Sequence, residues 1–488
     1  MSKLKKVFVF VFIFSLCIPN FLLFIGIDFN LDENRKLKEK PQFCIDNLYD
    51  YPEEYISYYE DNMPFKSLLV KCNSYLNYKL FHVSTEKAVI FGQDGWLFYD
   101  SKYKESTDSL GDYINPVDLS IQELEDYKST FLKMQETCAR EGAEFVLVVA
   151  PNKITIYGDE YLPAYYSKNK EGTRTDFLLE YLRNNTDLNI VYPKEALLGL
   201  RDQIQLYYKL DTHWNALGGY IGYSDLYQSV YGEEPEKIGE IDCISKEVYN
   251  GDLSKLLNIN ILSDTEYSLN YKPQIGVHVV SEDNNIYSYS SNKNGHKLLM
   301  FRDSFAISMI DYIQKDFEQT HLIWSSVFDE NLIMGERPDI VVYEIAERSI
   351  PYIANVEHLY SKRPIESERL SSIPLPIETN PDIMGWCEPE EINSVLRLHG
   401  FGFIRGKNSR DTRAIIMLSG ETTYEIPFEL EYRSDVADAD NLDSSVLYCG
   451  IDVKINIDDI ADGDYDVYML MENSGIMYWW NMNYEINK

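Results

Sequence analysis

The chain has 488 residues, of which 45% are hydrophobic, and its 79 acidic against 45 basic residues give a formal net charge of −34. This length exceeds what one compact core holds, so at least two domains are expected. The negative electrostatic potential of such a chain repels nucleic acid, so nucleic acid is excluded as a partner. The seven cysteines form no C-x-x-C pair, so the sequence indicates no zinc site and no disulfide framework, although one or two disulfides stay open.

The N-terminus combines a short basic flank with a long apolar segment. Lys3, Lys5 and Lys6 precede residues 7–27, which carry no charge. Such a segment is about long enough to cross a ~30 Å hydrocarbon core as one helix, and the basic flank is expected to stay in the cytoplasm. A cleaved signal peptide is the alternative, but no small-residue cleavage site follows. We therefore predict a signal anchor over residues 1–27 and a single-pass membrane protein whose remaining residues lie in the periplasm or at the cell surface.

The middle of the chain alternates between helical and strand patterns. Residues 28–85 are predicted to form a polar tether and one or two helices, and residues 88–99 a hairpin about Asp94 and Gly95. Helices are then predicted at 121–141, 177–184, 216–231 and 306–317, and short apolar strands at 145–150, 188–192, 297–301, 321–325 and 339–344. This alternation is typical of a mainly parallel sheet with helices on both faces. The sequence thus predicts an α/β domain over residues 86–374.

The pattern changes after Pro374 and Pro376 to strands without long helices. Strands are predicted at 394–398, 414–418, 424–432, 450–455 and 465–471. Turns rich in Gly, Asp and Asn separate these runs, which favours a small antiparallel β-sandwich over residues 375–488. A glycan-binding role and a spacer role both stay open for this accessory domain.

A first chemical motif lies just before the helix predicted at 216–231. Asp211 and His213 are two residues apart on an extended segment, so their side chains can point the same way. A carboxylate there would fix the tautomer of the imidazole and stabilise its protonated form. The alternative is an ordinary helix cap with packing residues around it.

A second motif follows the strand at 297–301, where Ser304 lies in a turn before a helix. Open α/β sheets place their sites at this carboxyl edge, and a helix N-terminus supplies N–H donors for an oxyanion. The alternative is that Asp303 or Ser304 simply caps the helix.

Together the two motifs resemble a known family. The block from Arg302 to Phe305 is similar to the nucleophile block of SGNH hydrolases, with Arg302 in place of their usual Gly. Those enzymes carry Asp and His after the serine, whereas here Asp211 and His213 come first. This order resembles the alginate O-acetyltransferase family, a permuted SGNH-like branch. Over about residues 30–350 the likeness also includes Glu33-Asn34-Arg35, the run from Gly92 to Tyr99, Ala150-Pro151-Asn152-Lys153, Tyr161-Leu162-Pro163 and the run from Tyr343 to Arg348.

The resemblance implies a catalytic triad in which Ser304 is the nucleophile, His213 its base and Asp211 the acid that orients the imidazole. It implies an O-acetyltransferase that modifies an exported or cell-surface polysaccharide through a serine acyl-enzyme. A membrane-bound O-acyltransferase is the implied partner that passes the acetyl group across the membrane, and no cofactor or metal is expected. The alternatives are a polysaccharide acetyl esterase with the same residues and a non-catalytic glycan-binding subunit of an export complex.

Further residues are predicted around this triad. Ser304 itself and Asn152 are the predicted oxyanion donors. Trp214, Tyr157 and Arg348 are predicted sugar contacts, and for all three a structural role in packing or ion pairing stays open.

Overall fold

The computed structural model describes residues 3–24, 38–44, 49–63, 66–235, 243–249, 251–259, 263–269, 278–283, 286–291, 295–365, 378–392, 394–439 and 444–488. The chain divides into two compact units. The first comprises Met1–Phe98, Lys209–Asp211 and Val248–Asp264, and the second comprises Tyr99–Tyr208, Thr212–Glu247 and Thr265–Lys488. The predicted domain limits near residues 27 and 375 lie outside the described residues and stay predictions.

The α-helices of the described residues are numbered in chain order. They are α1 (Lys3–Phe24), α2 (Tyr51–Asp61), α3 (Lys66–Leu76), α4 (Ser109–Ile114), α5 (Ile121–Arg140), α6 (Lys153–Tyr161), α7 (Arg174–Asn185), α8 (Lys194–Leu200), α9 (Ala216–Tyr231), α10 (Asp252–Leu256), α11 (Ile310–Asp316), α12 (Glu330–Glu336) and α13 (Ser434–Ala439). Nowhere in these residues is there a helix long and apolar enough to cross a membrane, whereas the sequence predicted one over residues 7–27.

The strands are numbered in the same way. They are β1 (Val89–Phe91), β2 (Leu97–Tyr99), β3 (Glu144–Ala150), β4 (Asn189–Val191), β5 (Cys243–Tyr249), β6 (Ser263–Leu269), β7 (His278–Asp283), β8 (Ile286–Ser290), β9 (Lys297–Arg302), β10 (Gln319–Trp324), β11 (Phe328–Asp329), β12 (Ile340–Ala346), β13 (His358–Leu359), β14 (Arg363–Pro364), β15 (Ile383–Ile392), β16 (Val395–Ile404), β17 (Thr412–Ser419), β18 (Tyr424–Phe428), β19 (Glu431–Tyr432), β20 (Tyr448–Asn456), β21 (Asp464–Asn473) and β22 (Ile476–Asn487).

In the first unit, β1 and β2 form the predicted hairpin. Asp94 and Gly95 turn the chain with φ of 51° and 80°, a left-handed conformation that Gly adopts without cost. The backbone N–H of Leu97 donates to the carbonyl of Lys209 (2.9 Å), and a Cβ on Gly251 would lie only 2.2 Å from the carbonyl oxygen of Leu210. The short segment 209–211 is therefore held firmly within this unit.

The second unit contains a mixed sheet that, within the described residues, has the strand order β4-β3-β12-β9-β10-β8-β7. Strands β4, β3, β12, β9 and β10 run parallel, whereas β8 is antiparallel to both β10 and β7. The predicted mainly parallel sheet with flanking helices is thus confirmed. The β7–β8 hairpin was not predicted, because its Ser and Asp residues interrupt the apolar runs that mark a buried strand.

Helices pack on this sheet as their sequences dictate. Ser120 and Glu123 form a capping box at the start of α5, and Gly142 (φ 79°) follows its end. Phe131 of α5 lies in one buried cluster with Leu147 of β3 and residues of β9 and β12. Side chains on the opposite face of the sheet, such as Met300, are also fully buried.

Two mostly antiparallel sheets follow toward the C-terminus. One has the order β11-β13-β20-β16-β15 with β19 beside β20, and the other has the order β14-β18-β17-β21-β22. Leu398 and Val453 of the first sheet share a core with Ile416 and Met469 of the second. The predicted antiparallel region is confirmed. Strand β15 was missed, because its exposed Gly and Glu residues give no clear apolar alternation.

Candidate active site

The predicted nucleophile lies at the carboxyl edge of the mixed sheet. Strand β9 ends at Arg302, and after Asp303 and Ser304 the chain forms a 3-10 helix over Phe305–Met309 before α11 begins. The helix predicted at 306–317 therefore begins as a 3-10 helix, which is wound more tightly than an α-helix, and continues as α11. Ser304 is half-buried, and its hydroxyl makes no capping bond to the backbone.

The side chain that stabilises this turn by hydrogen bonds to the backbone is that of Asp303, not that of Ser304. Its Oδ1 accepts a hydrogen bond from the backbone N–H of Phe305 (2.8 Å), and its Oδ2 accepts one from Ala346 at the end of β12 (2.7 Å). The carboxylate thus ties the ends of two neighbouring strands together. Because Asp303 provides the cap, the Ser304 hydroxyl is left for other contacts.

His213 supplies that contact. Its Nε2 lies 2.6 Å from Oγ of Ser304, and its ring packs on Phe305 with the centroids 4.8 Å apart. The Nδ1 atom lies 3.3 Å from the hydroxyl oxygen of Thr212. A neutral imidazole at this distance can take the proton of a serine hydroxyl. The structure therefore brings together two of the three predicted triad residues.

The residues after His213 fix its position. The indole N–H of Trp214 donates to the carbonyl of Phe305 (2.8 Å), which links this segment directly to the nucleophile turn. Asn215 caps α9, accepting hydrogen bonds from Leu217 (3.0 Å) and Gly218 (3.1 Å) through Oδ1. The segment therefore fits both interpretations, since it caps a helix through Asn215 and also presents His213 to Ser304.

Asp211 belongs to the first unit. Its Oδ2 accepts a hydrogen bond from the backbone N–H of Asp252, the first residue of α10 (2.8 Å). Its role as the acid that orients His213 stays a prediction.

Asn152 follows β3 at the same edge of the sheet and is buried. Its backbone N–H donates to Oε2 of Glu347 (2.7 Å), which also accepts from the hydroxyl of Thr155 (2.6 Å), while Oε1 accepts from Thr173 (2.9 Å). Burial raises the pKa of Glu347 to about 7 despite these donors. In the sequence, Glu347 stood out only as part of the run from Tyr343 to Arg348. The feature that could have marked it as a site residue is a second glutamate directly after the buried strand β12.

Arg348 lies beside the nucleophile turn. Its guanidinium stands 5.3 Å from the ring centroid of Phe305 and 5.9 Å from that of Tyr99, and its Nε lies 3.7 Å from a carboxylate oxygen of Glu105. Together with Asn152 and Thr212 it lines a cavity of about 20 Å³. That space holds roughly one water molecule and no sugar unit.

Tyr157 and Trp214 are buried, at 2% and 0% exposure. The Tyr157 hydroxyl accepts a hydrogen bond from the backbone N–H of Leu206 (3.0 Å). Of the two roles left open by the sequence, core packing fits these positions, since neither ring offers an exposed face to a sugar.

Comparison with known proteins bears on these residues. Residues 89–285 match the family model described as "SGNH hydrolase-like domain, acetyltransferase AlgX", a range that contains Asp211 and His213 and ends before Ser304. The chain is 28% identical over 165 residues to the probable alginate O-acetylase AlgJ of Pseudomonas aeruginosa. It is 21% identical over 323 residues to the protein of the same name from Pseudomonas syringae pv. tomato.

Residues 89–285 thus match the SGNH hydrolase-like domain of the acetyltransferase AlgX, and the chain is similar to AlgJ proteins of Pseudomonas. The Pseudomonas aeruginosa alignment covers 33% of this chain and 38% of that protein, and the Pseudomonas syringae alignment covers 60% and 77%. The chain therefore matches well under two thirds of the first of these relatives.

Solved structures show weaker likeness. A DHHW family protein from Eubacterium siraeum matches with a TM-score of 0.41 and 15% identity, over 56% of this chain and 100% of its own. The O-acetyltransferase domain of Pseudomonas putida AlgJ matches with a TM-score of 0.35 and 14% identity, over 55% of this chain and 99% of its own.

Proposed function

We propose that this protein transfers an acetyl group to a hydroxyl of an exported or cell-surface polysaccharide through an acyl-serine intermediate on Ser304. The observation that carries the proposal is the 2.6 Å contact between Nε2 of His213 and Oγ of Ser304. Similarity to the AlgX domain and to AlgJ proteins favours acetyl as the acyl group and a sugar as its acceptor.

The reaction proceeds in two steps. Ser304 Oγ forms a bond to the acyl carbon of the donor as its proton passes to His213 Nε2, and the resulting tetrahedral oxyanion collapses when the donor's leaving group departs with that proton. A sugar hydroxyl then gives its proton to His213 and bonds to the acyl carbon; the bond from that carbon to Ser304 Oγ breaks, and Oγ takes the proton back from His213. Asp211 is proposed to hold the imidazole in the tautomer that receives the serine proton.

The oxyanion needs backbone or side-chain donors. Ser304 N–H is the first proposed donor, since none of the described residues accepts a hydrogen bond from it. The side-chain amide of Asn152 is the second proposed donor, because its backbone N–H already donates to Glu347 and Asn152 follows β3 at the same edge of the sheet. Removal of one such donor typically costs a factor of about 10²–10³ in rate.

An acetyl esterase is the competing function, and it would use the same residues with water as the acceptor. The test uses the exported part of the chain with an activated aryl acetate and oligosaccharide acceptors. Donor consumption that rises with acceptor and yields acetylated sugar supports transfer. Turnover that ignores the sugar and releases only acetate would contradict it in favour of the esterase. A protein that binds oligosaccharide but never turns over the donor would be a glycan-binding subunit.

We also propose that the catalytic region lies outside the cytoplasm behind a single N-terminal anchor, with a membrane-bound O-acyltransferase as the source of acetyl groups. The proposal rests on Lys3, Lys5 and Lys6 before the uncharged sequence of residues 7–27. N-terminal sequencing of protein from membranes tests the anchor, since a mature chain that begins near residue 28 would contradict it. Co-purification with a multi-span acyltransferase from the same cells tests the proposed partner. A detergent-solubilised protein that never retains such an acyltransferase would contradict this partnership.

A further inference from the structure

Arg302, the last residue of β9, is an unusual feature of the nucleophile turn. It is 1% exposed, and its guanidinium lies between the rings of Tyr287 and Trp324, 5.1 Å from each centroid. Its Nη1 donates to the carbonyl oxygen of Asp303 (3.1 Å), while Nε and Nη2 have no partner among the described residues. Buried N–H groups without partners destabilise the folded state. Stability alone therefore does not explain an arginine at this position.

The Asp303 carbonyl that accepts this bond belongs to the same peptide group as the N–H of Ser304. A peptide group is planar, so an interaction that fixes the direction of its oxygen also fixes the direction of its N–H. A donor at the oxygen also polarises the group and makes the N–H a stronger donor. Arg302 therefore acts on the proposed oxyanion donor although it does not touch the nucleophile.

The other contacts of Asp303 hold this peptide in place. Its backbone N–H donates to Oε2 of Glu344 (2.9 Å), and its carboxylate accepts from Phe305 and Ala346. Every hydrogen-bonding group of Asp303 thus has a partner, whereas the next N–H along the chain, that of Ser304, has none in the described residues. The turn is built to present that one donor.

The charge of Arg302 is not neutralised by an ion pair among the described residues. Glu344 is the nearby carboxyl group on the neighbouring strand, and burial together with the Asp303 carboxylate raises its pKa well above its ordinary range. A cation held in such a dry position acts on a developing anion with little screening by solvent.

We infer that Arg302 is a positioning residue that orients and polarises the Ser304 N–H for the oxyanion of the acyl-transfer step. The inference rests on the proposed function. As Ser304 Oγ bonds to the acyl carbon and its proton moves to His213, the carbonyl electron pair becomes the charge on oxygen that this N–H receives. When the tetrahedral species collapses, the carbonyl re-forms and the charge near Arg302 disappears, so its effect is largest in the transition state.

The test compares full-length Arg302→Met, which keeps length without charge, with Arg302→Lys, which keeps charge without the planar fork. Arg363→Gln is the matched control, since Arg363 is a half-buried arginine of β14 that, unlike Arg302, pairs with Glu330 and Glu141. Acylation by an activated aryl acetate is measured in the pre-steady state. We expect Arg302→Met to slow acylation roughly ten- to hundredfold with little change in KM, and Arg302→Lys to lose less.

A second measurement separates positioning from general damage. Methylboronic acid forms an anionic tetrahedral adduct with a reactive serine, so its affinity should fall in Arg302→Met by the same factor as the acylation rate. The affinity and the rate should both match wild type in Arg363→Gln. Added guanidinium ion at non-denaturing concentration should restore part of the rate in Arg302→Ala.

The outcomes are distinguishable from failure of the proposed function. If wild-type protein forms no acyl-enzyme, the proposed function fails first. If wild type and Ser304→Ala behave as proposed, but Arg302→Met acylates and binds the boronate like Arg363→Gln, only the role of Arg302 is overturned. Should Arg302→Met fail to fold, Arg302→Lys decides, and unchanged rate and boronate affinity there would overturn the inference.

Discussion

Nε2 of His213 lies 2.6 Å from Oγ of Ser304, although 91 residues separate the two along the chain. The contact joins the extended segment before α9 to the turn after β9, and the Trp214 indole bond to the Phe305 carbonyl (2.8 Å) ties the same two segments beside it. A base and a nucleophile held on fixed segments need little rearrangement before reaction.

Replacement of the nucleophile tests the acyl-serine mechanism. Ser304→Ala should reduce acetyl transfer by on the order of 10⁴ or more, because no other group carries the acyl intermediate. Stability should change by only about 1 kcal/mol, since the hydroxyl makes no capping bond and loses one contact to His213. His213→Ala should be about as severe, and the double variant no worse than either alone. Losses that multiply in the double variant would show that the two residues act independently.

Asp211 is expected to matter through His213. Asp211→Asn should lower turnover by about 10⁴ at most, less than loss of Ser304, because the wrong imidazole tautomer then predominates. Asp264→Asn is the matched control in the same unit, since Asp264 accepts a hydrogen bond from Leu210 N–H (2.9 Å) and has no proposed part in the chemistry. Equal losses in the two variants would mean that Asp211 only supports the fold. The readout is kcat/KM with the aryl acetate as a function of pH.

The close packing of α9 on the nucleophile turn gives a prediction about stability. A Cβ on Gly219 would lie 2.5 Å from the carbonyl oxygen of Ser308, so Gly219→Ala should destabilise the protein by a few kcal/mol and displace Ser304 from His213. Gly199 in α8 has nothing within 4 Å of such a Cβ, so Gly199→Ala should be neutral or stabilising by about 0.5–1 kcal/mol. Urea unfolding of both variants checks this, and a Gly219→Ala protein as stable as wild type would be inconsistent with the packing.

Glu347 should make stability depend on pH. Its folded pKa of about 7 lies above its ordinary value of 4.5, so the folded state holds the proton more tightly than the unfolded chain. Its contribution is fully present below about pH 4.5 and is lost as pH rises through about 7, by roughly 3 kcal/mol at about 1.4 kcal/mol per pKa unit. Glu347→Gln should flatten the free energy of unfolding over this window, and an unchanged slope would contradict the assignment.

Much of the fold follows from local sequence patterns. The apolar run over 145–150 and the amphipathic pattern before Gly142 predict β3 and α5 because burial on both faces, or along one helical face, leaves a period in the sequence. The hairpin of β7 and β8 and the edge strand β15 leave no such period, since they are polar or exposed on one side. Their pairing is set by neighbouring strands rather than by their own residues.

The site shows the same division. The motifs about His213 and Ser304 could be recognised, and the resemblance to the alginate O-acetyltransferase family implied the contact between them. No role in the site could be predicted for Arg302 or Glu347, because a charged residue at the end of a strand is expected to be exposed. Only the structure shows that both are buried. Asp303 shows the limit most clearly, since only the structure separates a cap from a nucleophile at adjacent positions.

Detection of the acyl-enzyme tests the central claim most directly. Intact protein is mixed rapidly with the activated aryl acetate, quenched in acid and analysed by mass spectrometry, with proteolysis to locate any added group. We expect a mass increase of one acetyl group on the peptide that contains Ser304, its loss on addition of an oligosaccharide acceptor, and no increase in Ser304→Ala. An acetyl group on another residue, or turnover of the donor by folded Ser304→Ala at the wild-type rate, would contradict the account.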